Sequence, residues 1–258
     1  MGGHTSCVAI THSNASRPTL ILDAGTGLRR VSHLMGHDPF HGTVIVGHLH
    51  WDHVMGLPFF PAGDRPDARV QLLVPEQGVP AFELLSRMMS PPFFPIGPQQ
   101  LRGDWTFGTY DDVTMELEGF TVTARDIPHK GGRTMGLRVS DGHSTMAYLS
   151  DHAPTDLGPG DDGLGVFHEA ALELVAGVDV LVHDAQYTAH EFPAVRNWGH
   201  CTPDYAVNLA AASGVRRLVL FHHDPRRTDT QVEEMRRALI VPEDLIVDNG
   251  VEGLMIQI

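Results

Sequence analysis

The segment GHLHWDHVMG, residues 47–56, carries the residue types best suited to chemistry. It places four metal-binding side chains within six residues: His48, His50, Asp52 and His53. His48 and His50 alternate in an extended stretch, so both imidazoles are predicted to face one side. Imidazole and carboxylate ligands suit Zn²⁺, Mn²⁺ or Fe. A solvated polar turn is the alternative, but so many polar groups at the end of an apolar strand are costly to bury without a metal.

Three further candidate ligands follow other predicted strands. His129 lies in DIPHKGG, Asp151 follows TMAYLS, and His222 ends RRLVLFH. A catalytic metal site needs several protein ligands and an open position for water. His223 is an alternative to His222, and only one can serve because neighbouring residues of a strand point to opposite faces. His152, beside Asp151, is interpreted as a residue around the ligands or the pocket and not as a ligand.

Apolar runs and turn residues predict the elements that must position these side chains. Strands are predicted at 19–23, 43–47, 70–74, 112–118, 120–126, 134–139, 144–149, 178–183, 217–222, 245–248 and 253–257. Helices are predicted at 81–89, 165–176, 202–213 and 229–239. The third helix is favoured by Thr202 as its N-cap, Pro203 as its first residue and Gly214 just past its end. Two packed sheets with helices outside, in one α/β domain over residues 1–258, fit this order.

Composition limits the function classes. The 258 residues carry a net charge of −14 and one lysine, Lys130, so no footprint for a long nucleic acid is expected. No run of about 18 apolar residues predicts a membrane span. The first residues lack the pattern of a signal peptide. The two cysteines, Cys7 and Cys201, are interpreted as reduced thiols, which favours a cytoplasmic protein.

Taken in order, the motifs resemble those of the metallo-β-lactamase superfamily, and within it the ribonuclease Z-like phosphodiesterases. ILDAGTG, HLHWDH, PHKGG, YLSDH, LVHDAQYT, WGHCT and VLFHHDP follow one another as in that family. The resemblance covers nearly the whole chain. It implies a four-layer αββα sandwich, the metallo-β-lactamase fold, with two divalent metal ions.

The resemblance also implies a role for each candidate ligand. One ion is held by His48, His50 and His129, and the other by Asp52, His53 and His222. Asp151 bridges the two ions, and a hydroxide between them is the attacking group. Asp52 can also orient this hydroxide or take its proton. Zn²⁺ is the first choice of metal, with Mn²⁺ and Fe as alternatives.

His200, in NWGHCTPD, lies just before a predicted helix. The resemblance implies that it contacts the scissile phosphate and protonates the leaving group; a local capping or packing histidine is the alternative. Asp184 is predicted to orient His200 or a metal-bound histidine, as carboxylates commonly do. His183 is predicted to support the site in the same way.

The residues predict a metal-dependent hydrolase, and the resemblance implies a phosphodiesterase that acts on small or cyclic phosphodiesters. Ribonuclease Z proteins grip transfer RNA with a long arm, but only residues 130–150 separate His129 from Asp151 here. The proline- and phenylalanine-rich stretch near 91–98 is a candidate lid. Hydrolysis of a lactone, thioester or β-lactam on the same metals is one alternative, and a non-hydrolytic iron-binding redox or sensor protein is another. The resemblance leaves a homodimer open.

Overall fold

A computed structural model describes residues 1–258. The chain gathers into two compact units. The N-terminal unit comprises His4–Asp111 with Glu116–Gly119, and the C-terminal unit comprises Phe120–Ile258 with Met1–Gly3 and Asp112–Met115. A single domain over residues 1–258 stays a prediction.

The N-terminal unit is built on a five-stranded mixed sheet in chain order. Its strands are β1 (Val8–Ile10), β2 (Leu20–Leu22), β3 (His41–Ile45), β4 (Arg69–Pro75) and β5 (Asp104–Tyr110). β1 and β2 are antiparallel, and the other neighbours are parallel. Because β2 and β3 are parallel, the residues that follow both strands emerge at the same edge of the sheet.

Three helices and an apolar core complete this unit. The helices are α1 (Leu28–Leu34), α2 (Trp51–Val54) and α3 (Ala81–Met88). Ile21, Val44 and Leu72, from three neighbouring strands, share one buried cluster with Leu28 and Val54 of the helices. The continuous apolar runs of β2 and β3 are therefore explained by burial in this core.

The C-terminal unit is built on a seven-stranded sheet with the order β12-β11-β10-β9-β8-β7-β6. Its strands are β6 (Val113–Leu117), β7 (Phe120–Ile127), β8 (Thr134–Ser140), β9 (Thr145–Leu149), β10 (Val180–Asp184), β11 (Arg217–Phe221) and β12 (Ile246–Asn249). β9 to β12 are parallel, and β8 is antiparallel to both of its neighbours, β7 and β9. The carboxyl ends of β9, β10 and β11 therefore lie side by side at one edge.

Four helices belong to this unit: α4 (Glu169–Val175), α5 (Phe192–Val195), α6 (Pro203–Ala212) and α7 (Asp229–Arg237). As predicted, Thr202 caps α6, and its hydroxyl accepts a hydrogen bond from the Tyr205 N–H over 3.1 Å. Gly214 has a φ of 68° just past the end of α6, a conformation that favours glycine. None of the helices combines the length and apolarity needed to cross a bilayer.

Most predicted elements are present, with shifted ends. The strand predicted at 253–257 is wrong, because those residues pair with no strand and several of their apolar side chains are exposed. β1, α1 and β5 were not predicted. The prolines of 75–108 favoured a loop there, although Asp104–Tyr110 pairs in full register with β4.

Candidate metal centre

The motif residues of the N-terminal unit lie between β3 and α2. His48 and His50 follow β3, and His50 has extended backbone; α2 begins at Trp51, so Asp52 and His53 lie in its first turn. The ring centroid of His48 is 4.5 Å from that of His50 and 4.0 Å from that of His53. The structure therefore gathers these imidazoles within one local group.

The turn after β2 supports this group. The Ala24 N–H donates to the His53 carbonyl over 2.8 Å, and the Gly56 N–H donates to the Ala24 carbonyl over 2.9 Å. A side-chain carbon at Gly25 would lie 2.2 Å from the Asp52 carbonyl oxygen. Glycine is required at position 25 because the backbones approach so closely.

Asp23, at the start of that turn, holds His53 directly. Its Oδ2 lies 2.6 Å from His53 Nδ1, and its Oδ1 accepts the Gly47 N–H over 2.7 Å. Both side chains are buried. Asp23 has a left-handed φ of 60°, which is strained for most residues other than glycine. In the sequence, ILDAGTG predicts only a strand and a turn, and the contact of Asp23 with His53 was not predicted. The available signal was an aspartate at the end of a fully apolar strand.

We expect Asp23→Asn to weaken metal binding about 10- to 100-fold, because removing the carboxylate that orients a ligand histidine usually has that effect. An asparagine cannot accept from both the His53 ring and the Gly47 amide. The measurement is metal retention against a competing chelator. Asp161→Asn makes the same chemical change at an exposed loop position and should behave like wild type. Equal metal affinity in the two variants would show that the Asp23 carboxylate does not contribute to metal binding.

In the C-terminal unit, Asp151 lies two residues beyond β9, next to two predicted ligands. Its Oδ1 is 3.0 Å from His222 Nε2, and its Oδ2 is 3.5 Å from His129 Nε2. Asp151 has a φ of 59° and His222, directly after β11, a φ of 53°. Left-handed backbone at non-glycine residues is concentrated at functional sites, where surrounding contacts maintain it.

In each unit, a predicted histidine ligand faces a carboxylate in a way that suits a bound cation. His129 Nδ1 donates to the Gly199 carbonyl over 2.6 Å, so in the neutral ring Nε2 carries no proton and faces the Asp151 carboxylate. His53 repeats this arrangement: its Nδ1–H donates to Asp23, and its Nε2 lies 3.4 Å from Asp52 Oδ2. Two acceptors facing each other repel unless a cation or a proton lies between them.

His222 and His223 differ in their surroundings. The His222 ring stacks on the His200 ring at 5.0 Å, and its Nδ1 lies 3.0 Å from the Gln186 side-chain amide. Gln186 was not predicted. The Gln186 Nε2 amide donates to Nδ1, so in the neutral ring Nε2 carries the proton and faces Asp151 Oδ1 at 3.0 Å. Burial lowers the pKa of His223 to about 4.

Asp184 lies against His200, one of the partners predicted for it, and its orienting role stays a prediction. Asp184 Oδ2 is 2.8 Å from His200 Nδ1 and also accepts the His152 backbone N–H over 3.1 Å. Burial opposes protonation of His200, but the charge and hydrogen bond of Asp184 outweigh it and raise the pKa of His200. Ligand-type atoms of four residues lie within 4.8 Å of one another: Asp151, Asp184, His200 and His222.

His183 contacts no predicted ligand. Its ring packs against His152, and its Nδ1 lies 2.8 Å from the Asp184 carbonyl oxygen. Burial lowers the pKa of both His183 and His152, which favours the neutral form of each ring. Cys201 lies beside them, and both cysteines are free.

Comparison with known proteins places this geometry in a family. The profile of the beta-lactamase superfamily domain matches residues 19–223. A ribonuclease Z from Limosilactobacillus fermentum is 26% identical over 237 residues, which cover 74% of this chain and 73% of that protein.

Two solved structures share the fold. The metallo-beta-lactamase fold protein YhfI from Bacillus subtilis superposes with a TM-score of 0.64 at 15% identity, over 98% of this chain and 97% of that one. A diphosphatase of the PhnP family gives a TM-score of 0.59 at 19% identity, over 92% of this chain and 83% of that one.

The chain belongs to the metallo-β-lactamase superfamily, and the predicted α/β fold class is confirmed. The predicted resemblance to ribonuclease Z is also confirmed. The protein is therefore a hydrolase of a metal-dependent family, with His/Asp groups suited to divalent ions.

Proposed function

We propose that the protein is a phosphodiesterase that acts on small or cyclic phosphodiesters at a centre of two divalent ions. The Asp184–His200 pair next to Asp151 and His222 carries this proposal. An imidazole with a raised pKa suits a substrate that is negatively charged and whose leaving oxygen needs a proton. The relative named ribonuclease Z supports the same reaction class.

The ligand assignment remains the one implied by the family. His48, His50 and His129 would hold one ion, Asp52, His53 and His222 the other, and Asp151 both. Zn²⁺ is the first choice, with Mn²⁺ and Fe as alternatives, because histidine and carboxylate ligands accept all three. When bound, the ions would lower the pKa of a water and offset charge on the phosphoryl group.

The chain's own residues would then move the protons. Asp52 orients the attacking water and accepts its proton as the new phosphorus–oxygen bond forms. Because His200 Nδ1 donates to Asp184, Nε2 is the atom that reaches the substrate. Nε2–H donates its proton to the leaving oxygen as the old phosphorus–oxygen bond breaks. Asp184 keeps the ring in this orientation.

The short β8–β9 region supports a small substrate. Between His129 and Asp151 the chain forms only these two strands, joined by a tight turn in which Asp141 Oδ1 accepts the His143 and Ser144 N–H groups. The net charge of −14 also disfavours a long polyanion. A cytoplasmic location and a homodimer stay predictions.

The test uses full-length protein stripped of metal and reloaded with Zn²⁺ or Mn²⁺. Hydrolysis of bis(p-nitrophenyl) phosphate and of 2′,3′-cyclic nucleotides is compared with hydrolysis of a lactone and an acyl thioester. We expect metal-dependent turnover of the diesters and little of the carboxyl substrates. A fully loaded protein that hydrolyses the lactone or thioester, but no diester, would refute the proposal.

A further inference from the structure

Three histidines of the C-terminal unit form a continuous chain of hydrogen bonds next to the candidate centre. His152 Nε2 lies 2.8 Å from His168 Nε2, and His152 Nδ1 lies 3.0 Å from His183 Nε2. His183 Nδ1 lies 2.8 Å from the Asp184 carbonyl oxygen. The rings of His152 and His183 are fully buried, whereas His168 is half-buried. The chain therefore runs from near the surface to the residue that holds His200.

The direction of each hydrogen bond follows from its two ends. The Asp184 carbonyl can only accept, so His183 Nδ1–H donates and His183 Nε2 accepts. His152 Nδ1–H must then donate to His183, which leaves His152 Nε2 to accept from His168 Nε2–H. At the far end His168 Nδ1 accepts the Ala171 N–H over 3.4 Å, as the N-cap of α4. Three neutral rings satisfy every contact with one consistent set of tautomers.

The same geometry excludes a third metal site at these residues. The two nitrogens of an imidazole point away from each other, and His152 uses one toward His168 and the other toward His183. No point is shared by nitrogens of all three rings. The cluster is a chain of hydrogen bonds, and its effect must be exerted through the position of His152.

His152 is joined both to Asp151 and to the Asp184–His200 pair. It directly follows Asp151, whose left-handed φ of 59° is an unfavourable conformation that neighbouring contacts must maintain. Its backbone N–H donates to Asp184 Oδ2, the oxygen that also binds His200. A fixed His152 ring therefore fixes the backbone beside Asp151 and one hydrogen bond of Asp184 together.

We propose that His168 is a positioning residue: through its hydrogen bond to His152, it holds Asp151 and the Asp184–His200 pair in place. This inference rests on the proposed phosphodiesterase function for its kinetic effect. The structural part, a fixed tautomer at His152 and His183, can be measured without turnover.

Two substitutions separate positioning from helix capping. In His168→Asn, the short amide can replace Nδ1 as the N-cap of α4, and asparagine is a favourable cap, but it does not reach His152. In His168→Gln, the longer amide can replace the donor at Nε2 but loses the cap. We expect His168→Asn to lower kcat about 10-fold with little change in KM and a near-wild-type melting temperature. His168→Gln should keep most of kcat and melt at a lower temperature.

Nitrogen-15 NMR of the imidazoles in the metal-loaded protein gives the second readout. Wild type and His168→Gln should show His152 and His183 protonated at Nδ1, and His168→Asn should show altered His152 nitrogen shifts. Full kcat in both variants, or kcat that follows the melting temperature, would overturn the inference. If wild type hydrolyses no diester, the proposed function fails, and the His152 tautomer alone decides: protonation at Nε2 refutes the positioning chain, whereas Nδ1–H and its dependence on His168 support it.

Discussion

Asp151→Asn should abolish most of the diesterase activity, with turnover of bis(p-nitrophenyl) phosphate lowered about 10³-fold. The carboxylate lies against His222 and His129, and in the proposed centre it binds both ions. Asparagine has nearly the same shape and tolerates the left-handed backbone at this position, so the substitution removes the charge with little added strain. The loss should be accompanied by fewer than two ions per chain.

Asp161→Asn, at an exposed loop position of the same unit, is the matched control and should retain wild-type turnover and metal content. A melting temperature within a few degrees of wild type in metal-free Asp151→Asn would show that the fold persists. Full activity and two ions per chain in Asp151→Asn would exclude a bridging role.

His200→Ala should lower kcat about 10²- to 10³-fold, the usual loss when one donor to a developing oxyanion is removed. The loss should depend on the leaving group. A nucleoside 2′,3′-cyclic phosphate expels an alkoxide that needs a proton, whereas p-nitrophenolate leaves readily without one. We therefore expect a larger effect on the cyclic nucleotide than on bis(p-nitrophenyl) phosphate.

Asp184→Asn should reproduce much of this effect, because Asp184 fixes the His200 ring. The variant that carries both substitutions should lose little more kcat than His200→Ala alone, since both changes disable the same Asp184–His200 pair. His143→Ala, in an exposed hairpin turn, is the control substitution and should leave kcat unchanged on both substrates. An equal loss on both substrates would assign His200 to phosphate binding without proton transfer.

The predictions that the structure confirms came from local patterns in the sequence. Short apolar runs that end in aspartate or glycine located β2 and β3, and the Thr202–Pro203 start located α6. Both depend on neighbours within a few residues, which the sequence displays directly. The ligand assignments depend on the family resemblance and remain proposals.

Contacts between distant residues were not predictable in the same way. Asp23 reaches His53 across 30 positions and His152 reaches His183 across 31, and neither pair has a local pattern. Each pair forms because neighbouring strands end at one edge of a sheet, so sheet order must be known first. β5 was missed for a related reason, since its register with β4 comes from pairing and not from its own residues.

Strain provides a further link between fold and site. Asp23, Asp151 and His222 all adopt left-handed backbone just past a strand, and all three contact ligand-type side chains. Such conformations are unfavourable by about 1–2 kcal/mol for residues other than glycine. The buried strands before them and the hydrogen bonds around them hold these residues in place.

The most direct test of the two-metal centre is a metal titration of the stripped wild-type protein, with bound metal per chain and diester turnover measured on the same samples. We expect turnover of bis(p-nitrophenyl) phosphate to rise to its maximum as two ions bind per chain. Maximal turnover at one ion, or no turnover with two ions bound, would rule out a two-metal phosphodiesterase.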